Sequence, residues 1–214
     1  MSVQLLNRDE LREGLIICRR RPGVLALAIM LATASKWYRI YKDAWNHDAI
    51  IVRDPQDGQL KIGDALMGPG CVLTPISEWE EDCVKNGSKI IVLQVVGASP
   101  AHEEEAAKWW LQNVFGHAYD KVAIWRLGLK AVFGDWISGK VGLLSHFFCT
   151  EGVRDAFLNA IRIVKEAIGA PLEDPWGDKT NPTPGTTHKR WKAGKLADMP
   201  QVFTEAGRKY AISL

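Results

Sequence analysis

The sequence has few cysteines, no excess of either charge and no apolar segment long enough to cross a membrane. Four cysteines in 214 residues, none in a Cys-x-x-Cys pair, are not typical of a disulfide scaffold or of the common zinc spacings. A net charge of +2 favours no polyanionic partner. With 47% hydrophobic residues, the chain is neither disordered nor collagen-like and can bury one globular core.

One apolar segment resembles an export signal. Three arginines at 19–21 precede the apolar residues 24–32, and small residues follow at 32–35. However, residues 7–18 before it are predicted to form a helix with Asn7 as the N-cap, whereas an export signal begins with a short basic leader. We therefore expect a buried strand near residues 23–34 and a cytoplasmic protein in a reducing compartment, with secretion as the alternative.

Strand and helix patterns alternate along the chain and predict an α+β fold. Strands are predicted at 47–53 and 59–67, joined by a tight connection, then briefly at 71–74 and again at 88–96, where apolar residues on both faces indicate a central position. Ser99 and Pro100 begin a helix that stops at Gly116.

The second half of the chain is predicted to contain a functional loop, a long helix and an extension. Residues 116–148 are glycine-interrupted and predict a long structured loop, which inside a compact domain is usually functional. Apolar residues then recur at helical spacing from Val153 to Ile168, and Gly169 ends the helix. We expect one domain at 1–170 and a Pro/Gly-rich, basic C-terminal extension at 171–214, packing on it or trailing from it.

Three residues have the chemistry of a thiol enzyme. Cys149 stands at a predicted helix N-terminus, where free N–H groups and the helix dipole favour a thiolate. His47 opens a strand and can serve as a base, and Asp64 on the next strand can lie beside it on one sheet face. Taken singly, each residue also fits an ordinary role: a buried small cysteine, a strand-end histidine and a solvated acid.

Three short motifs resemble the circularly permuted branch of the NlpC-type papain-like cysteine peptidase superfamily, which is related to lecithin retinol acyltransferase. They are His47-Asp-Ala-Ile-Ile-Val, Gly116-His-Ala-Tyr-Asp and Phe148-Cys-Thr-Glu-Gly-Val, and the resemblance covers roughly residues 47–164. The order, histidine before cysteine, is that of the permuted branch. The resemblance implies a central antiparallel sheet packed against helices and no cofactor or metal.

The resemblance also implies a role for each site residue. Cys149 would be the nucleophile, His47 the general base and Asp64 the third member, with Asp57 and Gln59 as weaker candidates for that third position. Tyr119 matches a tyrosine that lines the family's active site. Asp48 replaces a small residue beside the base and is expected, with Tyr119, on the substrate side.

The implied activity is hydrolysis of an amide or ester through an acyl-enzyme, on a small peptide, a peptidoglycan fragment or an acyl substrate. Four tryptophans suit either a sugar peptide or an acyl chain: Trp37, Trp45, Trp125 and Trp136. Three alternatives stay open. They are a non-catalytic papain-like binding or assembly protein such as a phage or prophage component, nucleic-acid binding through the basic residues around Trp191, and a metal site from Cys149, His47, His117 and His146. No nucleic-acid partner is expected.

Overall fold

The computed structural model describes residues 4–23, 45–119, 146–147, 149–169, 171–177 and 184–212. Within these residues the strands are β1 Ile16–Arg20, β2 His47–Arg53, β3 Leu60–Leu66, β4 Gly70–Pro75, β5 Lys89–Val95, β6 Ala118–Tyr119, β7 His146–Phe147 and β8 Leu196–Asp198. The α-helices in the described part of the chain are α1 Ile76–Lys85, α2 Pro100–Asn113, α3 Cys149–Ile168 and α4 Pro184–Lys192. Nearly all of the strand expected near 23–34, and most of the expected loop at 116–148, lie outside the described residues.

A six-stranded antiparallel sheet organises the fold, in the order β4-β3-β2-β1-β5-β8. The predicted hairpin between β2 and β3 is confirmed, and Gly58 at its turn has a φ of 72°. β5 is an interior strand, paired on one side with β1 and on the other with β8. The α+β prediction, with an antiparallel sheet packed against helices, is therefore confirmed.

The helix predicted at residues 7–18 is wrong. Only a 3₁₀ turn, Arg8–Glu10, forms there, with the Asn7 side chain accepting from the backbone N–H of Asp9, and the chain then enters β1. Gly14 separates the two elements with a φ of 82°, in a place where a Cβ would lie 2.4 Å from the Cα of Glu103. Leu15 and Ile16, which together with Leu11 suggested a helix face, are instead fully buried where β2 and β5 pair with β1 on both sides.

Each face of the sheet buries its own apolar cluster. α2 and α3 cover one face, where Trp110 and Phe157 are fully buried, and Gly63 in β3 is needed because a Cβ there would lie 2.8 Å from the Trp110 ring. α1 and the chain ends cover the other face, which includes Trp79 and Phe203. The sheet is thus the middle layer, and its strand ends carry the candidate site.

The C-terminal segment 171–212 completes the sheet. β8 pairs with β5, and an isolated bridge joins Leu6 to Phe203. Thr204 donates its hydroxyl to the carbonyl of Gln4 at 2.7 Å, so the two ends of the described chain are linked. Within the described residues, no helix has the length and apolar character needed to cross a membrane.

Candidate active site

Cys149 is the first residue of the longest helix, α3. It is 3% exposed, and the apolar stripe behind it packs on the sheet through Val153, Ala156, Phe157 and Ala160. The first backbone N–H groups of a helix have no partner within the helix, and the dipole gives that end partial positive charge. The thiol therefore lies where developing negative charge is stabilised.

His47 and Asp64 form a hydrogen-bonded pair on neighbouring strands. The register pairs Ile50 with Gly63, so His47 and Asp64 are diagonal neighbours on one face of the β2–β3 hairpin. The Nε2 atom of His47 shares a short hydrogen bond with Oδ1 of Asp64. The Asp64 side chain is fully buried and that of His47 is 14% exposed. The sequence prediction that these two side chains meet is therefore confirmed.

The electrostatics of the site favour a protonated His47. Burial by itself lowers the pKa of His47, but the charges of Asp64 and Cys149 and the hydrogen bond with Asp64 raise it to about 10. Burial raises the pKa of Asp64, and the charge and hydrogen bond of His47, with the charge of Arg19, lower it below its ordinary value. The site can thus hold an imidazolium against the Asp64 carboxylate, close enough to Cys149 for the two groups to interact electrostatically.

Arg19 supports this pair from the next strand and was missed by the sequence analysis, which grouped it with the arginine run at 19–21. It lies directly opposite His47 in the β1–β2 register and is 4% exposed. Its guanidinium donates to Asp82 at 2.8 Å and lies 5.5 Å from the Trp79 ring centroid. Arg19 directly follows the apolar residues 15–18 and begins the arginine run, so the sequence offered no signal that separated it from Arg20 and Arg21.

Asp48 lies on the sheet face covered by α3 and is 1% exposed. Its Oδ2 atom accepts from the Thr150 hydroxyl and from the Thr187 hydroxyl, each at 2.7 Å. Burial raises the pKa of Asp48, although hydrogen bonds from Thr150 and Thr187 oppose that shift. The structure thus places Asp48 in the interior, where it holds two threonines, and neither threonine was singled out from the sequence.

Tyr119 is 7% exposed and belongs to the same apolar cluster as Cys149. It ends β6, whose parallel partner β7 lies just before Cys149 in the chain. In contrast, Asp57 and Gln59 lie at the hairpin end of β2, the end opposite to His47, and Asp57 pairs with Lys61 at 2.9 Å. The structure therefore separates these two weaker candidates from the histidine.

The other three cysteines are buried and unpaired. Burial raises the pKa of Cys71 to about 11, that of Cys83 to about 12, and that of Cys18 well above its ordinary value. These thiols therefore stay protonated at neutral pH. Among the described residues, no three His, Cys, Asp or Glu side chains are grouped to hold a metal ion.

The basic residues around Trp191 make contacts within the chain. Arg190 donates to the carbonyl of Trp176 at 2.6 Å, and Lys195 pairs with Glu173 at 2.6 Å. Lys192 lies 4.5 Å from the Trp191 ring centroid. Of the four tryptophans considered for substrate binding, Trp45 is fully buried, and Trp37, Trp125 and Trp136 lie outside the described residues.

Comparison of the chain with models of known protein families and with curated protein sequences found no match in either.

Proposed function

We propose that this protein is a cysteine hydrolase of the permuted papain-like type that cleaves an amide or ester bond through an acyl-enzyme. The observation that carries the proposal is the hydrogen-bonded His47–Asp64 pair beside a cysteine that begins a helix. A nucleophile, a base and an orienting acid in this relation are what acyl transfer requires. The histidine-before-cysteine order and the three motifs support the permuted family.

The proposed mechanism starts from a Cys149 thiolate and a His47 imidazolium. The sulfur attacks the substrate carbonyl carbon, and the N–H groups of the first turn of α3 stabilise the resulting oxyanion. His47 then donates its proton to the leaving amine or alcohol, which departs and leaves a thioester on Cys149. A water molecule gives a proton to His47 and its oxygen to the acyl carbon, which releases the acid and restores the thiolate.

Asp64 has a supporting role in this mechanism. It accepts a hydrogen bond from Nε2 of His47, so the other ring nitrogen, Nδ1, is left to exchange protons with Cys149. Its buried negative charge also stabilises the imidazolium. Within the proposed family the substrates are peptidoglycan-type peptides or acyl groups, and this chain is proposed to act on one of these two classes.

A generic activated ester tests the proposal without knowledge of the substrate. The protein is mixed with p-nitrophenyl acetate at neutral pH, quenched in acid, and mapped by peptide mass spectrometry. We expect an acetyl group on the peptide that contains Cys149, and its loss in Cys149→Ala. Cys71→Ala is the matched control, because Cys71 is buried in the same apolar cluster but has a raised pKa. Acetylation spread equally over the four cysteines would refute the proposed hydrolase activity and favour a non-catalytic binding protein.

A further inference from the structure

The buried carboxylate of Asp48 joins three separate parts of the chain. Asp48 follows His47 in β2, Thr150 follows Cys149 in α3, and Thr187 lies in α4 of the C-terminal segment. Both hydroxyls donate to the same oxygen, Oδ2, at 2.7 Å. A carboxylate that is 1% exposed is costly unless such bonds compensate it, so this arrangement is a strong structural constraint.

Further contacts link Thr187 to α3, the helix that begins with Cys149. The indole N–H of Trp176 donates to the Thr187 hydroxyl oxygen at 3.2 Å. The Trp176 ring packs against Phe157, with centroids 5.9 Å apart, and Phe157 lies two turns after Cys149 on α3. The C-terminal segment is therefore linked to α3 at two places: at Thr150 through Asp48, and at Phe157 through Trp176.

Resting on the proposed function, we propose that Asp48 is a positioning residue which, through the hydroxyls of Thr150 and Thr187, fixes Cys149 relative to His47. The C-terminal segment is then part of the catalytic unit, because it supplies one of the two hydroxyls. The base His47 and the positioning carboxylate Asp48 are neighbours in β2. The bonds of Asp48 therefore resist a shift of β2 against α3 next to the residue that exchanges protons with Cys149.

The Asp48 contact also determines how Thr150 can act on the sulfur. The Thr150 hydroxyl has one proton, which it donates to Asp48, and its oxygen lies 3.9 Å from the Cys149 sulfur. While that bond is intact, Thr150 cannot donate to a thiolate. Stabilisation of the thiolate is therefore left to His47 and the helix N–H groups, whose geometry depends on the position of α3.

The test compares Thr187→Val with Thr187→Ser by the pH dependence of iodoacetamide alkylation at Cys149. Valine has nearly the shape of threonine but no hydroxyl, whereas serine retains the hydroxyl. We expect the pH midpoint to rise by about one unit in Thr187→Val, which corresponds to a tenfold weaker stabilisation of the thiolate when Cys149 is no longer fixed relative to His47, and to return to the wild-type value in Thr187→Ser. A looser fold that only exposes the sulfur multiplies the rate at every pH and leaves the midpoint unchanged.

A second pair of variants and a control complete the experiment. Thr150→Val and Thr150→Ser test the other hydroxyl. If Thr187→Val does not fold, this pair tests the positioning role by itself. Thr204→Val is the matched control, because its hydroxyl donates to a backbone carbonyl at the N-terminal end and is expected to leave the midpoint unchanged. A low wild-type midpoint that both valine variants leave unchanged would overturn the positioning role alone. A wild-type midpoint near that of a free cysteine would instead refute the proposed function.

Discussion

The His47–Asp64 pair predicts a specific dependence of stability on pH. Folding raises the pKa of His47 from 6.5 to about 10, so the folded protein keeps a proton that the unfolded chain releases. The resulting stabilisation is complete below about pH 6.5 and is lost as the pH rises toward 10. Taken alone, this contribution of His47 should make the free energy of unfolding fall with rising pH in this range.

The magnitude follows from proton linkage. One extra proton bound by the folded state changes the free energy of unfolding by up to about 1.4 kcal/mol per pH unit, which integrates to about 2 kcal/mol between pH 6.5 and 8.5. Above about pH 8.5, unfolded cysteines ionise as well, and the raised pKa values of Cys18, Cys71 and Cys83 add to the loss. The lower window therefore separates the histidine from these three cysteines.

The assay is urea unfolding of Cys149→Ala and of Cys149→Ala/His47→Gln at several pH values in that window, because in the wild type a Cys149 thiolate releases a proton on folding and offsets the proton that His47 gains. The other four histidines are common to both proteins, so their titration cancels in the difference. We expect the stability advantage of Cys149→Ala over the double variant to shrink by up to about 2 kcal/mol from pH 6.5 to 8.5, because the Asp64 charge and hydrogen bond still raise the pKa of His47. Parallel curves would refute the reasoning, because they would mean that His47 titrates alike in the folded and unfolded chain.

Two other substitutions test the core and the third site residue. Phe157→Ala should lower the free energy of unfolding by about 3–5 kcal/mol, because Phe157 is fully buried and packs on Trp176. Urea unfolding measures this, with the exposed Glu166→Ala as control, and a change below about 1 kcal/mol would contradict the packing. Asp64→Asn should retain the fold but slow steady-state ester turnover by about 100-fold or more, because an amide can hold the imidazole in the wrong tautomer. Wild-type turnover in this variant would refute the role of Asp64 in orienting His47.

Local rules predicted the elements around the site. The turn residues at 54–58 and the alternation beside them predicted the β2–β3 hairpin, and the hairpin alone brings His47 and Asp64 onto one face. The capping residue Ser99 and the helical spacing after Cys149 located α2 and α3. Each of these features depends on neighbours in sequence, which is why the sequence was sufficient.

The features that were missed depend on distant contacts. Residues 15–18 fit a helix face or a buried strand equally well, and pairing with β2 and β5 selects the strand. The bond between Asp48 and Thr187 spans 139 positions, and no local pattern marks either residue as its partner. β8 was also missed, because it forms only by pairing with β5, which lies far from it in the sequence.

The central claim is that His47 activates Cys149, and alkylation by iodoacetamide at pH 6, resolved by cysteine, tests it most directly in the wild type and His47→Ala. An ordinary cysteine is only about 0.3% ionised at pH 6, which slows its alkylation. Its thiolate, however, is roughly 30-fold more reactive than the thiolate of a cysteine with a low pKa. On balance, pairing with His47 should raise the alkylation rate of Cys149 by about tenfold. We expect Cys149 alone to react, about tenfold more slowly in His47→Ala. Equal rates at Cys149 in the two proteins, or a Cys149 no faster than Cys83, would contradict the account.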